Sequence, residues 1–278
     1  MNSRIKNKLS LNKRLLLILP YLIIAILLVF TPILMIIINA FASTGQTNFD
    51  SAELVKDPKT WTKIWRSLYI GIISAILCLL IGFPYAYFVA RSKSKIVPIY
   101  AMSLMLSPMV IFTIAKIYAI RGFFLSIVPR ENDLNEIWFM IFGLTYLNLP
   151  YMIMPLYSVL RDMPENIIEA SHDLGYNSFQ TLWKVILPYA SKAILSGFGI
   201  IFLASATNFV ISDKLLPDGS QLQTVGTMIN NYTNPANRYE VALGTTLVLA
   251  VAAVFIGTYA LINFIPRWIN RIRRGHHA

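Results

Sequence analysis

Six long apolar runs alternate along the chain with polar segments: 15–39, 67–90, 96–115, 137–160, 193–212 and 241–266. None contains a charged side chain. Each reaches the roughly 20 residues that an α-helix needs to cross a hydrocarbon core. Backbone polar groups must pair internally where water is absent, so the pattern predicts six spanning helices and an all-α membrane protein. Prolines inside the runs (Pro20, Pro32, Pro84, Pro98, Pro108, Pro150, Pro155) read as kinks, which membrane helices tolerate.

The one long polar-amphipathic island between these runs is 164–188. Pro164 suits the first helical position and Glu165 the first turn, near the positive end of the helix dipole. Gly175 fits a left-handed stop. Asn177 or Ser178 then caps a second short helix, which is expected to run to Leu187 and end at Pro188. Two short helices on a glycine elbow predict a rigid handle.

Composition agrees: 56% of residues are hydrophobic and 13% charged, against about 25% charged in a soluble domain. The net charge of +11 is unevenly placed. Segments 1–14, 91–95, 161–192 and 267–278 hold the excess of Lys and Arg, with only Asp162, Glu165, Glu169 and Asp173 against it. The alternate loops are balanced. The positive-inside rule therefore places both termini and the handle in the cytoplasm, and the tail Arg267, Arg271, Arg273 and Arg274 on anionic lipid rather than nucleic acid. Ala40-Phe41-Ala42 mimics a signal-peptidase site, but the preceding run is too long for a cleaved signal and is expected to remain as a helix.

Small residues form i+4 stripes: Ser74, Cys78, Gly82, Ala86 and Ala90 on the second run, and Ala242, Thr246, Ala250, then Ala253 and Gly257 on the sixth. Such stripes let helices approach closely, within this chain or against a second subunit. On the fifth run Ser205, Thr207 and Asn208 precede Asp213; they line a pathway or hydrogen-bond to neighbouring helices. Lys116, directly after the third run, is expected to snorkel to the outer interface. In the external loop 40–66 Trp61 and Trp65 read as interface anchors, and Pro217-Asp218-Gly219 as a turn. The single cysteine, Cys78, precludes an internal disulfide and a multi-cysteine metal site. No phosphate-binding G-x-x-x-x-G-K-[ST], no H-E-x-x-H and no G-x-S-x-G occurs. His172 lies on the handle and His276 and His277 at the C-terminus, so no catalytic residue is assigned. An ion-driven secondary transporter would show inverted halves and buried acids, which this pattern lacks.

Within the handle, Glu169, Ala170, Gly175, Leu187 and Pro188 match at full spacing the pattern E-A-A, three residues, G, nine residues, I, any residue, L-P. Ser171 replaces the second Ala and Val185 the Ile. In this the chain resembles the permeases of binding-protein-dependent ABC importers, most closely the spermidine/putrescine type, from about 65 to 264. The resemblance implies a core domain at 65–264 with a coupling loop at 161–192, preceded by 1–14 and 15–64 and followed by a basic tail at 265–278. It implies contact with the ATPase through Glu165, Ile168, Glu169, Ala170, Ser171, Asp173, Leu174, Gly175, Leu187 and Pro188. The partners implied are a second homologous permease, a cytosolic ATPase dimer binding ATP and magnesium, and an external binding protein or lipoprotein, in a bacterial plasma membrane. No cofactor is expected in this chain. For a polyamine cargo, acidic and aromatic groups should line the route, so Asp213, Tyr146, Tyr151, Tyr232 and Tyr239 join Ser205, Thr207 and Asn208 as candidates. Thiamine, iron or phosphonate are the alternative cargoes of the same scaffold.

Overall fold

The structure, a computed structural model, describes residues 13–41, 50–128, 130–219, 222–232, 234 and 236–275. Its helices are α1 (Lys13–Phe41), α2 (Pro58–Ala90), α3 (Ile96–Val110), α4 (Thr113–Leu125), α5 (Ile137–Arg161), α6 (Glu165–Asp173), α7 (Ser178–Thr181), α8 (Leu187–Ala206), α9 (Val225–Asn231) and α10 (Arg238–Gly275). Short turns at Glu53–Lys56 and Glu131–Leu134 and π-helical turns at Leu182–Ile186 and Ile211–Leu215 complete the order. There is no strand among the described residues. By length and composition five helices can cross a membrane, or six if α3 and α4 form one span. The chain is a multi-pass helical membrane protein. Arg4, Lys6, Lys8, Ala42, His276 and His277 lie outside the described residues, as do the side chains of the tail arginines.

The residues form two compact units. The first takes in α1 and residues 232–250, the early part of α10. The Thr246 hydroxyl donates to Ala242 O at 2.9 Å and lies 3.4 Å from Ala40 O, and Ala40 and Ala242 are both buried. The other described side chains of α1 are largely exposed apolar groups, suited to lipid.

The second unit is centred on α2, which packs chiefly against α5 and α8. Asp57 starts α2 by accepting from Lys59 N at 2.9 Å, and Pro58 takes the first helical positions. Trp61 and Trp65 therefore stand on the helix rather than in a loop. The stripe Ser74, Cys78, Gly82 and Ala86 is buried inside this chain, with Gly82 against Met152 and Ile153 of α5. At Gly71 a Cβ would lie 3.0 Å from the Phe202 carbonyl and 2.9 Å from Ala206 Cβ, so only glycine lets α2 and α8 come this close. The second stripe divides: Ala242 is buried, while Ala253 and Gly257 are exposed.

Three further expectations require correction. The third run is not one straight helix, because α3 and α4 meet at 99°. Pro108 has no N–H to offer Leu104 O, and the Ser107 hydroxyl bonds that carbonyl instead at 3.0 Å. Ile111 and Phe112 then adopt extended backbone before α4 begins. The fifth run also breaks early, at Thr207, before the π-helical turn at Ile211–Leu215. Finally, Pro188 does not end the handle. The helix continues from Ser178 to Ala206, because the Leu187 N–H bonds Leu182 O five residues back and the widened turn accommodates the proline ring.

Candidate functional site

The handle is built by local rules. Pro164 is the extended cap residue immediately before α6, one position earlier than its composition implied. At the other end Tyr176 N–H bonds Ser171 O at 3.1 Å and Gly175 N–H bonds His172 O at 2.8 Å. This 6→1 and 5→2 pair is a Schellman stop. It holds Gly175 at φ +80°, a left-handed conformation that side chains with a Cβ resist. Asn177 Oδ1 then accepts from Gln180 N at 2.8 Å while Gln180 Oε1 accepts from Asn177 N at 3.1 Å, a reciprocal capping box.

Across the elbow the buried hydroxyls of Ser171 and Thr181 meet at 2.9 Å. Lys184 Nζ lies 4.6 Å from the centre of the Tyr176 ring, close enough for cation–π attraction. Ile168 and Leu187 are half-buried, whereas Glu165, Glu169, Ala170, Asp173, Leu174, Gly175 and Pro188 are exposed. Two surface features result. Glu165, Glu169 and Asp173 recur every four residues on α6, and no ion pair engages them among the described residues. Like charges at this spacing repel, so the stripe is not there for the helix's own stability. The second feature is apolar, with Leu174 75%, Phe179 69% and Trp183 59% exposed. Phe179 and Trp183 lie one turn apart with ring centres at 6.1 Å.

The polar candidates near the fifth run fall into different settings. Ser205 is buried and accepts from Asn148 Nδ2 on α5 at 3.0 Å. Asn148 was not singled out in sequence, although an Asn amid the apolar 137–160 run was the available signal. Thr207 is exposed and its hydroxyl returns to Leu203 O. Asn208 accepts from Ile211 N through its side chain and from the Thr224 hydroxyl through its carbonyl. Asp213 is exposed and pairs with Lys214 at 2.8 Å. That hydrogen bond and charge hold the Lys214 ammonium above its ordinary pKa. Tyr146 and Tyr151 are exposed on α5, and Tyr146 lines clefts that none of the other candidates line. Tyr232 and Tyr239 belong to the first unit.

A buried hydroxyl cluster escaped the sequence reading. Ser212, Thr224 and Thr227 meet at 2.6–3.4 Å, and Ser67 Oγ accepts from Val225 N at 2.9 Å. These bonds pin the start of α9 against α2 and the end of the fifth run. Only the T-V-G-T spacing hinted at it. Among the described residues no group of His, Cys, Asp and Glu is arranged to hold a metal.

A family described as "Binding-protein-dependent transport system inner membrane component" has a sequence model that matches residues 79–274. The chain is 27% identical to the spermidine/putrescine transport system permease protein PotB homolog of Mycoplasma genitalium, over 94% of this chain and 95% of that one. It is 29% identical to the spermidine/putrescine transport system permease protein PotB of Escherichia coli, over 73% of this chain and 80% of that one. In structure it resembles a chain of the inward-facing MetNI methionine ABC transporter, with TM-score 0.56 and 19% identity over 78% of this chain and 98% of that one. It also resembles a chain of a bacterial ABC transporter involved in the import of the acidic polysaccharide alginate, with TM-score 0.65 and 17% identity over 91% of this chain and 97% of that one.

Proposed function

The chain belongs to the family of binding-protein-dependent transport system inner membrane components, and on that premise we propose that it forms half of the pathway of an ATP-driven importer of spermidine and putrescine. It is a transporter permease subunit and not an enzyme. A second homologous permease completes the pathway. Two cytosolic ATPases, which bind ATP and magnesium, dock on the 164–188 handles, and an external binding protein or lipoprotein delivers the cargo. Both termini and the handle face the cytoplasm, as the basic segments require.

One observation carries the coupling role. The handle's second half runs without a break into the membrane, as a single helix from Ser178 to Ala206. Its elbow is locked by the Schellman stop, the capping box and the Ser171–Thr181 contact. Closure of the ATPases on ATP therefore moves α8 instead of being absorbed in the loop. Release of ADP and phosphate reverses the motion. The acidic stripe Glu165, Glu169 and Asp173 suits a basic rim on the ATPase, and Leu174, Phe179 and Trp183 suit an apolar cleft within that rim. The polyamine cargo follows the relatives' naming, and Asp213, Thr207, Asn208 and Ser205, with the tyrosines, are assigned to its route.

Uptake of radiolabelled spermidine into vesicles holding the full complex and internal ATP tests this reading. Unlabelled putrescine should compete, whereas thiamine, ferric iron and phosphonate should not. Uptake of one of those solutes in place of polyamines would move the cargo. Polyamine uptake that ignores ATP but collapses with an ion gradient would make the chain a secondary transporter.

A further inference from the structure

Arg91 is the residue that caps α2 at its C-terminal end. The Nε and Nη2 groups of its guanidinium are buried and meet no acceptor among the described residues. These N–H donors form the edge that grips a carboxylate through paired bonds. A charged donor edge left unmatched in a buried site is costly. The rest of the loop, Ser92 to Lys95, adds two lysines and no acid.

Register along the neighbouring helix names a partner. Cys78 Sγ meets Thr145 O at 3.5 Å, and one turn further on α2 a Cβ at Gly82 would lie 3.2 Å from Ile153 Cγ1. α2 and α5 therefore run in the same direction, and each residue advances both by about 1.5 Å. The advance that leads from Gly82 to Arg91 leads from Ile153 to Asp162, and these are the C-cap residues of the two helices. Val89 and Leu160, in the last turn of each, are buried, so neither end splays into solvent. Asp162 is exposed, and its carboxylate has no hydrogen bond or ion pair among the described residues. It stands at the negative pole of its own helix, where an acid is disfavoured. Arg161 beside it is already engaged with the Tyr157 hydroxyl and ring.

We propose that Arg91 and Asp162 form a latch at the base of the handle. It is open in the position described here and closes as a bidentate ion pair in the handle's other position. Only Met163 and Pro164 separate Asp162 from α6, so displacing α6 turns the Asp162 backbone. Closure matches the donors of Arg91 and neutralises the acid at the end of α5, which favours the second position over the first. The inference rests on the importer reading, in which ATPases drive the handle between positions. It adds the residue pair that stabilises one of them.

The test uses the full reconstituted complex with Arg91→Cys and Asp162→Cys and a short bifunctional thiol reagent; the native Cys78 is buried. Cross-linking is compared between nucleotide-free complex and complex held in ATP by a hydrolysis-deficient ATPase. The yield should differ by at least about fivefold between the two conditions, as a two-position element requires. Equal yields in both, or no cross-link in either, would overturn the latch. Charge exchange supplies a second readout that a merely structural role would not move. Arg91→Asp and Asp162→Arg alone should each slow uptake at least about fivefold, and the two together should restore it to within about twofold. If either single variant fails to accumulate, the double variant of Arg91→Gln with Asp162→Asn must transport no worse than either of its single variants. Strictly additive losses would overturn the pairing. Recovery of the ATPase with the tagged chain scores the importer reading separately. ATPase present with equal cross-linking removes the latch and leaves the importer standing; ATPase absent removes both.

Discussion

The hydroxyl of Ser171 on α6 lies 2.9 Å from the hydroxyl of Thr181 on α7, across the elbow at Gly175. Ser171 gives its proton to Ile168 O at 2.6 Å, so Thr181 is the donor between them. Ser171→Ala strands that donor in a buried site and should weaken local protection of the handle by about 1–3 kcal/mol. Thr181→Val alone should do so by less, because it leaves no buried proton unmatched. The double substitution Ser171→Ala with Thr181→Val should be milder than the sum of the two. Hydrogen exchange of the handle amides measures this, and strictly additive effects would show that the pair is not coupled.

Gly226 and Gly257 form a contrasting pair. A Cβ on Gly226 would lie 2.3 Å from the Thr207 carbonyl, whereas nothing lies within 4 Å of one on Gly257. Gly226→Ala should push α9 off the end of the fifth run and lower the melting temperature of the purified complex. Gly257→Ala, on an exposed face of α10, should be neutral or stabilise by up to about 1 kcal/mol. Equal melting shifts would mean that α9 is not seated where its hydroxyl cluster places it.

Orientation is open to direct labelling, since the one native cysteine, Cys78, is buried. Ser94→Cys and Gly275→Cys should react only with reagent that reaches the cytoplasm, and Asp218→Cys only with reagent outside. Reaction of Ser94→Cys from outside would invert the placement of the handle.

The elbow was legible in sequence because Gly175 and Asn177 act through neighbours a few residues away. The spans were legible because lipid demands long charge-free runs whatever the tertiary contacts. The break at Ile111–Phe112 was hidden because apolar residues continue on both sides of it. It lies in two extended residues, Ile111 and Phe112, which no hydropathy pattern registers. Pro188 misled for the opposite reason: the rule that proline ends a helix assumes α spacing, and the π-helical turn evades it. Asn148 and Ser205 pair between two helices far apart in sequence, so neither residue announces the other.

Asp213 is exposed beside Lys214, so its charge is partly matched before any cargo arrives. Asp213→Asn should slow uptake without disturbing assembly, and spermidine, with more charge, should suffer more than putrescine. Lys214→Gln should shift the two substrates in the opposite direction. Both effects should shrink at high salt, because the pair is exposed and screened. Unchanged uptake of both polyamines in Asp213→Asn, at matched expression and subsaturating substrate, would take Asp213 off the route.

The central claim is that the handle transmits ATPase motion because its elbow is rigid. Gly175 isolates this, since its φ is +80° and no atom lies within 4 Å of a Cβ, so a substitution there strains only the backbone. A residue with a Cβ pays about 1–2 kcal/mol in the left-handed region, more if β-branched, and Asn less. The deciding measurement is ATP hydrolysis by the reconstituted complex, with and without loaded binding protein, in wild type, Gly175→Val and Gly175→Asn. The account predicts strong stimulation in wild type, none in Gly175→Val with the complex intact, and partial recovery in Gly175→Asn. Full stimulation and normal uptake in Gly175→Val would contradict it.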